Sequence, residues 1–257
     1  MHRRHVSYDC DGVRCAGTLD DAAGTSGLLI VTGGNETRAG AFSGQAMLAA
    51  DVAAAGFPVF RYDRRGVGDS EGTNSGFRHE DADMAAAVAA FRNEAPQVTR
   101  ITGFGNCDAA SALMLSSGAG LGALVLSNPW TIENDAQGPS PGAVRARYWE
   151  KLKSPKELLR LLAGNVSFRK LAQGLAAAAR PGAAHNSLKD AMAAGLEAFD
   201  GEIVFLLAGR DRTAKAFQAV WPSNDARIRV CEGASHAYAE QHARQWLHEQ
   251  IISVLRS

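Results

Sequence analysis

The sequence predicts an α/β domain, in which helices cover both faces of a mostly parallel sheet. Short apolar runs of strand length alternate with longer segments of helical periodicity along most of the chain. The 257 residues suffice for one large domain of this class. Such a domain buries roughly 75% of the surface that its unfolded chain would expose, so it requires neither disulfides nor a structural metal.

Eight runs have the length and composition of strands. The first two are separated by Asp11-Gly12-Val13 and predict an antiparallel hairpin. Later runs, such as LLIVT at residues 28–32, predict buried strands of the parallel sheet. The predicted strands span residues 5–10, 14–19, 28–32, 58–63, 100–104, 123–127, 202–208 and 226–232.

Helical periodicity fills most of the intervals between these strands. Within residues 80–93, Met84, Val88 and Phe91 fall on one face, and acidic residues occupy the first turn, where the helix dipole favours them. Further helices are predicted at residues 46–55, after residue 107, and at 213–220 and 239–255. The last of these places Ala243, Leu247, Ile251, Val254 and Leu255 on its buried side.

The alternation is interrupted between residues 130 and 195, where no strand-like run occurs. This segment is helical in pattern and basic, with ten Lys and Arg residues against five Asp and Glu residues. We therefore expect a core formed by residues 1–129 and 196–257, with residues 130–195 inserted as a small helical cap.

The overall composition excludes several classes of protein. The formal net charge is zero, so no global charge indicates nucleic-acid binding. The four cysteines form neither a CxxC pair nor a cluster with zinc-ligand spacing, and we expect no metal and no cofactor. The N-terminal segment has no apolar signal-peptide region, and no stretch approaches the ~20 apolar residues of a membrane span. These observations predict a cytoplasmic protein with reduced thiols.

The most informative motif follows the strand at residues 100–104. The turn from a strand into a helix that presents a nucleophile requires small residues two positions before and two after that nucleophile. Gly105 and Ala109 meet this requirement around Cys107. A sulfur at a helix N-terminus is also favoured as a thiolate, so we expect a Cys107 pKa well below the ~8.5 of free cysteine.

Two other interpretations of this motif remain open. Cys107 could be a small buried thiol of the core, as many cysteines are. Alternatively, Asp108 could be the nucleophile, as in dehalogenase-like turns, which would place Asn106 and Ala110 at the two small positions; asparagine fits poorly there.

An acid and a histidine follow two later strands. Asp211 comes directly after the strand at residues 202–208, and His236 follows the last strand in Gly233-Ala234-Ser235-His236. Functional groups gather at the carboxyl ends of strands in such sheets. The order of nucleophile, acid and histidine is that of the α/β-hydrolase triad. We therefore predict Cys107, Asp211 and His236 as catalytic residues of an α/β-hydrolase fold.

Backbone N–H groups are predicted to stabilise the oxyanion that such a nucleophile generates. One donor is the N–H of Asp108, and the second belongs to the loop after the strand at residues 28–32, where Gly34 or Asn35 could supply it. The glycine- and charge-rich loop at residues 63–70 follows the next strand, and we interpret its charges as structural.

The segment FRYDRRGVGDSEG at residues 60–72 resembles the D-x-R-G-x-G-x-S loop of α/β hydrolases of the serine-aminopeptidase and acylglycerol-lipase type. With the elbow GNCDAA, it is similar to the exosortase A system-associated hydrolase 1 family. This resemblance implies a bacterial, cytoplasmic hydrolase connected with exopolysaccharide and exosortase loci. Cysteine replaces the usual serine, Ala109 the final glycine of the elbow, and Thr32 a frequent histidine.

The expected activity is hydrolysis of an ester or thioester through an acyl-Cys107 intermediate. The excess of basic residues in the cap predicts an anionic acyl substrate. Trp130, Tyr148, Trp149 and Phe168 are the bulky side chains of the cap, and we expect at least one of them to line the acyl pocket. The alternative is a binding or scaffold protein that retains the fold without turnover.

Overall fold

The computed structural model describes residues 2–132 and 187–257, and all eight predicted strands are present in this part of the chain. The predicted strands at residues 123–127 and 202–208 have the observed bounds, and the other six differ by one to three residues at one or both ends. The strands are β1 (His2–Cys10), β2 (Val13–Asp21), β3 (Ser26–Val31), β4 (Val59–Asp63), β5 (Arg100–Asn106), β6 (Ala123–Ser127), β7 (Glu202–Ala208) and β8 (Ile228–Cys231).

The eight strands form one sheet in the order β1-β2-β4-β3-β5-β6-β7-β8. Strand β2 pairs antiparallel with both β1 and β4, whereas all the pairs from β4 to β8 are parallel. The predicted opening hairpin and the mostly parallel sheet are thus confirmed. In the parallel part, the carboxyl ends of β3, β5, β6, β7 and β8 meet along one edge.

Helices pack on both faces of this sheet. Strand β3 illustrates why its sequence is continuously apolar: Leu29 and Val31 join one buried cluster, while Leu28 and Ile30 join another on the opposite face. The helices in the described segments are α1 (Gly44–Ala54), α2 (Asp81–Glu94), α3 (Asp108–Leu115), α4 (Ser187–Glu197), α5 (Arg212–Val220) and α6 (Gln241–Arg256). Helices α1 and α6 cover one face, and α2 to α5 contribute to the other.

The apolar faces predicted for two helices are buried as expected. Met84, Val88 and Phe91 of α2 lie in the core. In α6 the buried side chains include all five predicted ones, Ala243, Leu247, Ile251, Val254 and Leu255. Full burial of a large apolar side chain stabilises the fold by about 1.5–3 kcal/mol, so these faces hold both helices to the sheet.

One compact unit comprises Met1–Ile132 and Leu188–Ser257, and the second, Glu133–Ser187, lies almost wholly outside the described residues. Leu188, Met192 and Leu196 of α4 belong to the core cluster of the first unit. The core therefore resumes at the start of α4, several residues before the expected end of the insertion at residue 195.

Within residues 2–132 and 187–257, no helix is long and apolar enough to cross a membrane. In the same segments no three His, Cys, Asp or Glu side chains are grouped so that they could hold a metal ion.

Candidate active site

Cys107 lies in a sharp turn between β5 and α3, at the carboxyl edge of the sheet. Its backbone has φ 63° and ψ −126°, a left-handed conformation that costs energy for a residue with a side chain. A Cβ at Gly105 would lie 2.6 Å from the backbone carbon of Ala109, so only glycine fits there. Cys107 thus has the backbone geometry of a nucleophile elbow.

Hydrogen bonds hold both polar backbone groups of Cys107. Its N–H donates to the carbonyl of Ser127 at 3.0 Å, and its carbonyl accepts from the N–H groups of Ser111 at 3.3 Å and of Trp130 at 3.2 Å. The Ser111 hydroxyl donates in turn to the carbonyl of Trp130 at 2.8 Å. The turn is therefore fixed by the end of β6 as well as by α3.

Trp130, one of the predicted pocket residues, lies beside this turn. Its side chain is partly buried against the core, and its indole N–H donates to the carbonyl of Ile132 at 2.7 Å. The other predicted pocket residues, Tyr148, Trp149 and Phe168, lie outside the described residues.

The structure brings Asp211 and His236 together. Asp211 Oδ2 lies 3.0 Å from His236 Nδ1 and also accepts the N–H of Ala214 at 3.0 Å, which caps α5. The carboxylate is almost fully buried, whereas 42% of the imidazole is exposed. Because an ionised carboxylate can only accept, the contact places the proton on Nδ1 and leaves Nε2 as the acceptor nitrogen of the ring.

A polar network fixes the loop that carries His236. Asn106 Oδ1 accepts from the Ser127 hydroxyl and from Asn128 Nδ2, both at 2.9 Å. Its own Nδ2 therefore faces His236, 3.4 Å from Nε2 and 3.3 Å from the backbone carbonyl. Asn128 Nδ2 lies 3.3 Å from the same carbonyl. The residue before Cys107 thus contacts the histidine directly. The pentapeptide pattern identified Asn106 only as a neighbour of the nucleophile, because it carries no information on side-chain direction.

The loop after β3 lies against the start of α3. The N–H of Gly34 donates to Asp108 Oδ2 at 2.7 Å, and a Cβ at Gly33 would lie 2.3 Å from Asp108 Oδ1. The predicted donor Gly34 therefore lies at the entrance of α3, with its N–H directed to the Asp108 carboxylate. The other predicted donor of this loop, Asn35, is exposed, and its side-chain carbonyl accepts from Asn74 at 3.0 Å.

The buried ion pair of Arg64 and Glu80 is hydrogen-bonded to the same loop. Arg64 donates to Glu80 at 3.0 Å and, from its other terminal nitrogen, to the carbonyl of Gly34. Both side chains are almost fully buried. Burial raises the pKa of Glu80 to about 7, although Arg64 and the Tyr62 hydroxyl act to lower it. Arg64 thereby orients the peptide between Gly34 and Asn35, which carries the N–H of Asn35, one of the two candidate oxyanion donors of this loop. The sequence motif placed this arginine in a structural loop without its link to the candidate oxyanion donor.

The thiol of Cys107 differs from the sequence-based expectation. Burial, reinforced by the charges of Asp108, Asp211 and Glu36, raises the pKa of Cys107 to about 11, while the Asp108 N–H lowers it in part. The predicted low pKa is therefore wrong. The helix dipole is outweighed by desolvation and by three carboxylates, so that Cys107 is a neutral thiol at neutral pH.

The sheet order, the elbow after β5, the acid after β7 and the histidine after β8 define an α/β-hydrolase fold. The sequence model of the Alpha/beta hydrolase family matches residues 28–249, and the chain belongs to that family. No curated protein matches the sequence.

Solved structures of the same fold cover nearly the whole chain. An esterase from Pyrococcus furiosus is 16% identical, with a TM-score of 0.65 over 99% of this chain and 91% of its own. An α/β hydrolase from a Penicillium species is 16% identical, with a TM-score of 0.65 over 100% and 99%. An esterase from Exiguobacterium antarcticum is 15% identical, with a TM-score of 0.60 over 98% and 99%. At these identities the likeness concerns the fold.

The raised pKa of Cys107 predicts a specific pH dependence of alkylation. Between pH 7 and 9 the rate of iodoacetamide labelling should rise about tenfold per pH unit, because only the thiolate reacts. Cys107 should be labelled before the other three cysteines, which are buried. Quenched time courses with peptide mapping measure both properties, and free cysteine, which levels off above pH ~8.5, is the control. A plateau between pH 7 and 8 would instead reveal a thiolate–imidazolium pair.

The support that Arg64 gives to Gly34 predicts a functional effect of a conservative change. Lysine cannot reach both Glu80 and the Gly34 carbonyl, so Arg64→Lys should lower kcat/KM for an activated ester by about tenfold, the equivalent of one hydrogen bond to a charged group. The alkylation rate of Cys107 should stay at the wild-type value.

The matched control for this change is Arg65→Lys, because the Arg65 side chain forms its ion pairs with Asp83 and Asp11 instead. It should lower thermal stability without changing kcat/KM. Equal losses of activity in the two variants would contradict the positioning role of Arg64.

Proposed function

We propose that this protein hydrolyses carboxylic ester or thioester bonds through an acyl-Cys107 intermediate, with His236 as the general base and Asp211 as the acid that orients it. The observation that carries the proposal is the 3.0 Å contact between His236 Nδ1 and Asp211 Oδ2, close to a strained turn that presents Cys107. The 3.4 Å approach of His236 Nε2 to the side chain of Asn106, the residue before Cys107, supports it further.

Acylation begins from a neutral thiol and a neutral imidazole. His236 Nε2 takes the proton of the Cys107 thiol as the sulfur attacks the carbonyl carbon and the carbonyl π electrons move to oxygen. The N–H groups of Asp108 and of Gly34 or Asn35 are the candidate donors to that oxyanion. When the carbonyl reforms, the bond to the leaving group breaks. His236 returns its proton to the departing alcohol or thiol, which leaves an acyl-Cys107 thioester.

Deacylation reverses the same proton movements with water as the nucleophile. His236 Nε2 takes a proton from water, the resulting hydroxide attacks the acyl carbon, and the Cys107 sulfur leaves and recovers the proton. The products are a carboxylic acid and the free enzyme. The buried carboxylate of Asp211 stabilises the imidazolium in both steps, and no cofactor takes part.

The nature of the substrate is inferred from the residues and from similar proteins. Two proteins of the same fold are named esterases, which supports a small-molecule ester or thioester as the substrate. The likeness of the elbow at residues 105–110 to the exosortase A system-associated hydrolase 1 family supports a cytoplasmic role beside bacterial exopolysaccharide systems.

A catalytically inactive binding protein is the alternative. The hydrogen bond from the Gly34 N–H to the Asp108 carboxylate favours it, because one candidate oxyanion donor already has an acceptor within the chain. Turnover and its dependence on the three proposed catalytic residues distinguish the two functions.

Substitution of the proposed catalytic residues provides the test. Cys107→Ala should abolish hydrolysis of a p-nitrophenyl ester, because no nucleophile remains. Asp211→Asn should lower kcat by up to ~10⁴, the effect of the wrong histidine tautomer in serine triads. Cys231→Ala, which removes a buried thiol at the end of β8, is the control and should retain activity. Turnover by Cys107→Ala close to the wild-type rate would reject the proposal.

The cap residues carry a separate prediction about chain length. Replacement of Trp149 or Phe168 by alanine should shift the preference within a series of p-nitrophenyl esters of increasing acyl length, because large side chains set the size of an acyl pocket. The alkylation rate of Cys107 should not change. An unaltered chain-length profile in both variants and in Trp130→Ala would show that these residues do not determine specificity.

A further inference from the structure

The Asp108 carboxylate occupies a position that the proposed reaction requires to be open. Its Oδ2 accepts the N–H of Gly34 at 2.7 Å. Its Oδ1 lies so close to Gly33 that any side chain there would collide with it. For the Gly34 N–H to stabilise the oxygen of a reacting acyl group, this carboxylate has to move away. The backbone N–H of Asp108 is the other candidate oxyanion donor, so both the backbone and the side chain of Asp108 belong to the candidate site.

Within residues 2–132 and 187–257, the structure offers a displaced Asp108 carboxylate no cationic partner. Among the residues that the structure describes, no basic side chain forms an ion pair with it. The nearby Arg64 is buried and pairs with Glu80 and the Gly34 carbonyl. Among the described residues, the carboxylates of Asp108, Asp211 and Glu36 raise the pKa of the Cys107 thiol. The described side of the site is therefore acidic.

We propose that Asp108 determines the charge of the substrate, and that the enzyme prefers acyl groups carrying an ammonium group near the reactive carbonyl. This inference rests on the proposed ester or thioester hydrolysis. When the acyl oxygen accepts the Gly34 N–H, the Asp108 carboxylate loses its charge-assisted hydrogen bond to that N–H. A substrate ammonium group then donates a new charge-assisted hydrogen bond to the carboxylate. A neutral acyl group offers no replacement, and an anionic group is repelled. The proposed preference is opposite to the anionic substrate that the basic composition of residues 130–195 predicts.

Three p-nitrophenyl esters that differ mainly in their terminal group test this proposal. The butanoate ends in a methyl group, the 3-aminopropanoate in an ammonium group and the hemisuccinate in a carboxylate. For the wild-type enzyme, kcat/KM should be about tenfold higher for the cationic ester than for the neutral one, and lower still for the anionic ester, as expected for a charge pair near a protein surface.

Two variants separate the charge of Asp108 from its hydrogen bond. Asp108→Asn keeps an acceptor for the Gly34 N–H but removes the charge, so kcat/KM for the three esters should converge. Asp108→Ala removes the acceptor as well, so kcat/KM for the butanoate should rise above the wild-type value. Glu36→Gln is the control, because Glu36 is an exposed acid of the same loop and its loss should preserve most of the preference.

The outcomes distinguish this inference from the proposed function. If the wild-type enzyme hydrolyses the esters through Cys107 but the charge preference is absent, or persists in Asp108→Asn, the role of Asp108 is wrong and the proposed function stands. If no ester is hydrolysed faster by the wild type than by Cys107→Ala, both are wrong. Loss of the Asp108 or Glu36 charge lowers the Cys107 pKa, so an intact elbow gives an alkylation rate at or above the wild-type value in each variant, and a slower rate reveals a damaged elbow.

Discussion

Cys107 holds a backbone conformation, φ 63° and ψ −126°, that costs an L-residue about 1–3 kcal/mol. The turn keeps this conformation because hydrogen bonds and close packing hold it in place. Its N–H and carbonyl are bonded to the end of β6, to α3 and to Trp130. Gly105 provides the space that the first turn of α3 needs, and Ala109 is fully buried against it. The turn lies at the carboxyl edge of the sheet, where Asp211 and His236 also follow their strands.

The remaining geometry depends on how three strand ends are tied together at this edge. Asn106 ends β5, Ser127 ends β6, and the hydroxyl of Tyr238 joins them by lying 3.0 Å from the Ser127 hydroxyl and donating to the carbonyl of Leu206 in β7. Each of these groups is buried or partly buried, so each needs a partner. A network that satisfies all of them fixes the loop of His236 more firmly than any single contact could.

The fold and the order of the candidate residues could be predicted because both follow from patterns along the chain. Strands covered on both faces are continuously apolar, and Asp211 and His236 follow such strands directly. The contacts of Asp108 and Arg64 with Gly34 could not be predicted. They join residues 74 and 30 positions apart, respectively, and they depend on side-chain directions that the sequence pattern does not contain. The predicted lowering of the Cys107 pKa was wrong for an energetic reason. A helix dipole contributes about 0.3–1 kcal/mol at an exposed position, less than the ~1.4 kcal/mol that changes a pKa by one, whereas desolvation and nearby carboxylates all act in the opposite direction.

The raised pKa also affects how the tetrahedral intermediate of the proposed reaction breaks down. In the tetrahedral intermediate of acylation, either the Cys107 sulfur or the leaving group of the substrate can depart, and the weaker base departs more readily. With a pKa of about 11, Cys107 is a stronger base than an ordinary thiolate, whose conjugate acid has a pKa of ~8.5, but a much weaker one than an alkoxide. A thiolate leaving group therefore departs more readily than the Cys107 sulfur, whereas an alkoxide departs only when His236 protonates its oxygen. By raising the pKa of Cys107, the nearby carboxylates make its sulfur a poorer leaving group, which directs breakdown of the intermediate toward acyl-Cys107.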